Sequence, residues 1–236
     1  MKRKTLGIIG GVGPLSTAYF MEAVISMTDA STDQEHIDMV VLNHTEIPDR
    51  TDYILDHSLP NPLPMMKADA IKLQSLGVDV IVTPCNTAHY FYEELSAAVT
   101  VPFLNMITET AEDLAKLEAR SAGILATNGT VRTELFQRAL LHRGIQPVLP
   151  RAQYQQYVMD IIYENVKAGK PVDQRKWQAV VDEMKEAGCD RILLGCTELS
   201  VLKREFALDS YFVDALEVLA KRTVEACGRK IRPQRS

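Results

Sequence analysis

One strand-like segment occurs twice in this chain. Gly77-Val-Asp-Val-Ile-Val-Thr-Pro-Cys85 and Gly188-Cys-Asp-Arg-Ile-Leu-Leu-Gly-Cys196 match at a single offset: Gly77 with Gly188, Asp79 with Asp190, Ile81 with Ile192 and Cys85 with Cys196. Agreement in a turn residue, a polar residue, a core residue and a terminal thiol predicts a duplicated fold with one cysteine at the same place in each half. A second pair supports this. Gly7-Ile8 and Gly123-Ile124 open strands that run into small-residue loops, Gly10-Gly-Val-Gly13 and Ala126-Thr-Asn-Gly-Thr130.

The rest of the chain alternates in the same way. Apolar runs at 6–9, 38–42, 79–83, 101–105, 122–126, 191–194 and 211–213 read as short strands. Helical spacing of apolar residues marks 16–27, 63–76, 90–98, 107–117, 131–142, 154–166, 177–187 and 215–227, three of them closed by Gly77, Gly144 and Gly188. Strands alternating with helices imply parallel sheets covered on both faces. The predicted fold is α/β, with two similar lobes related by a pseudo-two-fold axis and a cleft between them. The expected first lobe is residues 1–106 with 214–236, and the second is 107–213. Ligands of such sheets sit beyond the carboxyl ends of the strands, where both Cys85 and Cys196 fall.

Composition narrows the function. Lys and Arg total 26 against 31 Asp and Glu, a formal charge of −5, which gives no nucleic-acid footprint beyond the locally basic tail from Arg229 to Arg235. The basic start at Met1 and the apolar run to Pro14 imitate a signal peptide. The run is short, glycine-rich and without a cleavage site, so a first strand is expected there, and no stretch reaches the length of a membrane span. The four cysteines are too few and too scattered for a disulfide framework, which fits a cytoplasmic protein.

A lone strand-end cysteine is usually structural, and Cys189 and Cys227 are read so. Cys85 and Cys196 each precede an apparent helix start, a setting expected to lower a thiol pKa. Two such thiols across a cleft suit removal of a proton from one face of a carbon and its return on the other. The Gly10-Gly-Val-Gly13 loop lacks the third glycine of a dinucleotide fingerprint and no acidic residue follows β-like residues 38–42, so its expected role is close backbone approach to a small ligand. A metal site from Cys85, His89 and Cys196 is conceivable, but the usual Cys-x₂-Cys pairs and His-rich clusters are missing, so none is expected.

Thr83-Pro-Cys-Asn-Thr-Ala-His89, Gly195-Cys-Thr-Glu-Leu199 and Gly10-Gly-Val-Gly-Pro14 together resemble the aspartate/glutamate/hydantoin racemase superfamily, its aspartate racemase branch in particular, over nearly the whole chain. The resemblance implies an amino-acid racemase that needs neither pyridoxal phosphate nor metal, with Cys85 and Cys196 as acid/base thiols and a homodimeric assembly. It implies that Gly11, Val12, Gly13, Asn86, Thr87, Thr127, Thr130, Thr197 and Glu198 surround the substrate. It also implies that Arg50, in Ile47-Pro-Asp-Arg-Thr51, and Lys167 clamp a side-chain carboxylate. Glutamate or broader amino-acid racemisation and maleate cis–trans isomerisation stay open beside aspartate racemisation. A non-catalytic α/β binding module is the reading from another class.

Overall fold

The computed structural model describes residues 3–233, so Met1 and Lys2 at the basic start and Gln234 to Ser236 at the end of the basic tail lie outside the described residues. In chain order the elements are β1 (Thr5–Gly10), α1 (Pro14–Met27), β2 (Asp38–Asn43), α2 (Arg50–Leu55), α3 (Leu63–Ser75), β3 (Val80–Val82), α4 (Tyr92–Ser96), α5 (Met106–Lys116) and β4 (Ser121–Leu125). There follow α6 (Asn128–Thr133), α7 (Leu135–His142), β5 (Gln146–Val148), α8 (Ala152–Asp160), a π-helix (Ile161–Lys167), α9 (Gln174–Glu186), β6 (Arg191–Leu194), α10 (Thr197–Glu205), β7 (Phe212–Asp214) and α11 (Ala215–Ala226).

These strands form two parallel sheets, ordered β2-β1-β3 and β5-β4-β6-β7. The duplication is physical as well as textual. Gly77 and Gly188 both carry a positive φ, 81° and 74°, and end α3 and α9 in the left-handed conformation that glycine tolerates. Asp79 Oδ2 accepts from Thr5 N at 2.8 Å, and Asp190 Oδ2 accepts from Arg120 N at 2.8 Å and Ser121 N at 3.1 Å. Each aspartate thus fixes the start of the neighbouring strand, β1 or β4. Gly7 and Gly123 face equivalent residues too. A Cβ on Gly7 would meet Val78 at 2.9 Å, and one on Gly123 would meet Met184 at 2.7 Å and the Cys189 sulfur at 3.2 Å. Cys189 is packing material, as the sequence suggests.

The fourth strand position shows where the halves diverge. β7 pairs with β6, whereas the expected strand at 101–105 is reduced to a bridge between Ile81 and Phe103. Ile81 N donates to Pro102 O at 2.8 Å and Leu104 N to Ile81 O at 3.0 Å. Pro102 has no N–H, and Asn105 is already the cap of α5, accepting from Ile107 N and Thr108 N at 3.0 and 3.1 Å, so no ladder can extend. β5 is a strand the sequence reading passes over, because Pro147 breaks its pattern; it lies at the sheet edge, where proline is tolerated. The helix expected at 131–142 is two helices, α6 and α7, hinged at Glu134 with φ 56°.

Three apolar cores result. The central one joins the two sheets: Leu6, Ile8, Val80 and Val82 from one meet Ile124, Leu193 and Val213 from the other through α1, α5 and α11. The other two lie on the outer faces, around Ile9, Ile81 and Leu73 in the first lobe and Leu194, Ile192 and Trp177 in the second. This double burial explains why β1, β3, β4 and β6 read as unbroken apolar runs. No helix of the described residues is long and apolar enough to cross a membrane.

Candidate active site

The strand ends of the two lobes converge on one pocket. It is lined by Val12, Asp49, Arg50, Thr51, Cys85, Asn86, Thr87, Thr127, Tyr163, Lys167, Cys196, Thr197 and Glu198. Its free central volume is about 10 Å³, room for roughly one water, so the lobes are drawn tightly together around it.

Cys85 leaves β3 through a tight turn in which its N–H donates to Thr83 O at 2.9 Å. Behind it lies His89, 3% exposed. His89 Nδ1 donates to Cys85 O at 2.9 Å, and Met106 N donates to His89 Nε2 at 3.0 Å. A carbonyl can only accept and an amide can only donate, so the tautomer is set. Burial pushes the His89 pKa down to about 4, so the ring is neutral and ties the Cys85 loop to the start of α5. Both ring nitrogens are engaged by backbone, which leaves none to join Cys85 in holding a metal. Among the described residues no group of three or more His, Cys, Asp or Glu has metal-binding geometry.

Cys196 is the N-cap residue of α10 and is 5% exposed. Its thiol donates to Glu198 Oε2 at 2.9 Å. The helix-start argument for a lowered pKa fails here. Burial first, then the adjacent Glu198 carboxylate, pushes the Cys196 thiol well above its ordinary range, and the attraction of Lys167 does not make up the difference. Cys85, unlike Cys196, is followed only by the 3₁₀ segment Thr87–Phe91 and does not stand at the start of a long helix.

Arg50 is 7% exposed and opens α2, whose cap is Asp49. Its Nη1 donates to Pro48 O at 3.1 Å, and its Nε has no partner. Burial opposes its charge, yet the Cys85 sulfur, Asp49 and Glu198 outweigh burial and raise its pKa. Lys167 ends the π-helix, which is closed by Gly169 at φ 66° with Lys170 N donating to Asn165 O at 2.9 Å. Its Nζ lies 3.4 Å from Asp49 Oδ2 and 4.0 Å from the centre of the Tyr163 ring. Burial works to discharge Lys167, but Glu198, Tyr163, Asp49 and Cys196 together raise its pKa and keep it charged.

Hydroxyls join the lobes beside these charges. Thr87 Oγ1 lies 3.1 Å from Thr127 Oγ1 and 2.9 Å from Thr130 Oγ1, while Thr51 Oγ1 donates to Thr127 Oγ1 at 3.2 Å. The Asn86 side chain is buried with neither its amide nitrogen nor its oxygen hydrogen-bonded, a donor and an acceptor facing the pocket.

Three of the expected site residues are not in the lining. Thr130 stands behind Thr87 and Thr127. Gly11, with φ 80°, is pressed against the His44 backbone, and its N–H is taken by Thr17 Oγ1 at 3.0 Å. Gly13, with φ 105°, opens α1 and lines an adjoining, mostly apolar cavity of about 390 Å³ with Pro14, Leu15, Ser16, Val166, Lys167, Gly169 and Glu198. Asp49, Thr51 and Tyr163 are lining residues that sequence reasoning did not name. The first two lie in the Ile47-Pro-Asp-Arg-Thr51 motif around Arg50; Tyr163 carries no local signal.

Two thiols, two cations and two carboxylates thus line one narrow pocket in a two-lobed α/β fold, a set of groups suited to acid/base chemistry. A family model described as Asp/Glu/Hydantoin racemase matches residues 9–223, and the chain belongs to that family; it is a racemase, an isomerase. The broad specificity amino-acid racemase RacX of Bacillus subtilis is 32% identical to it over 228 residues, covering 93% of this chain and 96% of that protein. Among solved structures, the aspartate racemase of Picrophilus torridus superposes with a TM-score of 0.84 at 32% identity, covering 97% of this chain and 96% of that one. A glutamate racemase from Francisella tularensis, solved with D-glutamate, shares the fold with a TM-score of 0.65 at 16% identity, covering 95% of this chain and 81% of that one.

Proposed function

We propose that the protein interconverts L- and D-aspartate without a cofactor, using Cys85 and Cys196 as a pair of acid/base thiols. The observation that carries this reading is the entry of both cysteines, from equivalent strand ends, into one pocket with Arg50 and Lys167. In one direction the Cys85 thiolate takes the α-proton and the Cys196 thiol gives its own proton to the opposite face; in the other the roles exchange. The hydrogen bond to Glu198 favours the thiol form of Cys196, which makes it the donor of the resting site. The developing carbanion spreads charge onto the α-carboxylate, where Asn86, Thr87, Thr127 and Thr197 supply donors. Arg50 offers a planar fork and Lys167 a point charge to the substrate carboxylates. The proposed lobes, 1–106 with 214–236 and 107–213, each contribute one thiol, and their separation admits a substrate that the closed pocket is too small to receive. Cytoplasmic residence and a homodimer complete the proposal.

A broader amino-acid racemase is the second reading. It is favoured by the full-length likeness to a racemase described as broad in specificity and by the apolar cavity adjoining Lys167 and Glu198. Incubation of the purified protein with single L-amino acids in heavy water, without added cofactor, separates the two. Aspartate alone gaining deuterium at Cα with inversion supports the first; several neutral amino acids doing so at comparable rates supports the second; no exchange with any removes both.

A further inference from the structure

We propose that Asp49 determines the side-chain charge the pocket accepts, as a resident carboxylate on Lys167 that an acidic substrate has to displace. The inference rests on the racemase reading and concerns the substrate end of the same site.

Asp49 divides its work between its oxygens. Oδ1 caps α2, accepting from Thr51 N at 2.7 Å and Asp52 N at 3.2 Å. Oδ2 faces Lys167 Nζ across the cleft at 3.4 Å, and the Tyr163 hydroxyl is 3.4 Å from both oxygens. Burial works to raise the Asp49 carboxyl, but Lys167, Arg50 and the two backbone donors outweigh it and hold it below its ordinary range.

Both cations of the pocket are therefore compensated before any substrate arrives. Arg50 and Lys167 stand against Asp49 and Glu198, all four line the same space, and the Cys85 thiolate of the proposed resting site adds a further negative charge. No uncompensated cation waits for a second carboxylate. An amino acid with an uncharged side chain enters without breaking a pair, whereas a dicarboxylic one must take Lys167 from Asp49. The pair is suited to exchange. At 3.4 Å it is longer than a well-formed charge-assisted hydrogen bond of about 2.8 Å, so a substrate carboxylate at closer range competes well. Asp49 is not stranded afterwards, because its capping bonds remain. Glu198 also supports the Lys167 charge, but its Oε2 is engaged by Cys196 at 2.9 Å, and it is Asp49 that stands at ion-pair distance from Lys167.

The test compares aspartate with asparagine, its uncharged isostere, on the full chain and on Asp49→Asn. Asparagine is as good a helix cap as aspartate, so this change removes only the charge. The expected result is a fall of about threefold or more in KM for aspartate, with kcat little changed and the KM for asparagine unmoved. A cap-only role for Asp49 predicts no change in the ratio of kcat/KM values between the two substrates, and an unchanged or reversed ratio overturns the inference. If Asp49→Asn does not fold, Asp49→Ser, which also caps, gives the same readout, and Lys167→Met in the wild-type background must lower the aspartate-to-asparagine ratio. In wild-type protein that racemises aspartate but no uncharged amino acid, the aspartate KM is the readout, and a KM that Asp49→Asn leaves unmoved overturns this inference alone. Wild-type protein that racemises neither overturns it together with the racemase reading.

Discussion

The buried Cys196 thiol donates to Glu198 Oε2 across 2.9 Å inside the pocket that both residues line. A carboxylate at that distance favours the protonated thiol, so the two cysteines of this duplicated fold are equivalent in position but not in setting. Cys85 meets the Arg50 guanidinium, and Cys196 meets a carboxylate.

Glu198→Gln removes the negative charge while keeping an acceptor. The Cys196 pKa then falls back toward the ordinary thiol range. In a Cys85→Ser background, the pH midpoint for iodoacetamide labelling of Cys196 moves down by about one unit or more. An unmoved midpoint shows that burial alone sets this thiol.

His89 makes stability depend on acid. Its folded pKa of about 4 lies below the 6.5 of an unperturbed histidine, so the unfolded chain binds a proton that the folded one refuses. The stability from keeping this ring neutral is fully present above about pH 6.5 and is lost as pH falls toward 4, by at most about 3 kcal/mol. Urea unfolding between about pH 7.5 and 5 detects the loss. In His89→Gln the protein is less stable at neutral pH and that part of the acid sensitivity disappears.

Gly11 and Gly77 have nearly the same φ, 80° and 81°, but different surroundings. A Cβ on Gly11 would lie 2.5 Å from the His44 backbone, and one on Gly77 would meet nothing within 4 Å. Gly77→Ala costs about 1 kcal/mol from left-handed strain alone. Gly11→Ala adds a clash with unyielding main chain and costs about 2 kcal/mol or more, and it disturbs the neighbouring Val12 lining. Paired thermal or denaturant unfolding measures the difference.

Arg50→Lys preserves charge but removes the planar fork. It lowers kcat/KM for aspartate about tenfold or more while leaving unfolding stability near wild type. Steady-state kinetics on the folded variant checks this, and kinetics within about twofold of wild type exclude a bidentate role.

Much of this architecture was legible because the repeated letters do the same job twice. Gly77 and Gly188 end helices, Asp79 and Asp190 fix strand starts, and Ile81 and Ile192 fill outer cores. Single letters whose meaning depends on a partner were not legible. Pro147 hid an edge strand, and Pro102 with Asn105 cut short an expected one. Glu134 broke a helix at a positive φ without a glycine to announce it. Tyr163 and Asp49 reach the pocket only once the lobes dock. The pKa of Cys196 could not be read from its helix start, because burial and Glu198 outweigh the dipole.

The central claim is that two thiols move one α-proton between faces. The most direct measurement is racemisation and α-deuteration of L- and D-aspartate in heavy water by wild type, Cys85→Ser, Cys196→Ser and the double variant. The account predicts inversion with deuterium incorporation by wild type, loss of racemisation by about a thousandfold or more in each single variant, and no exchange by the double variant. Racemisation by the folded double variant at a rate near wild type would contradict it.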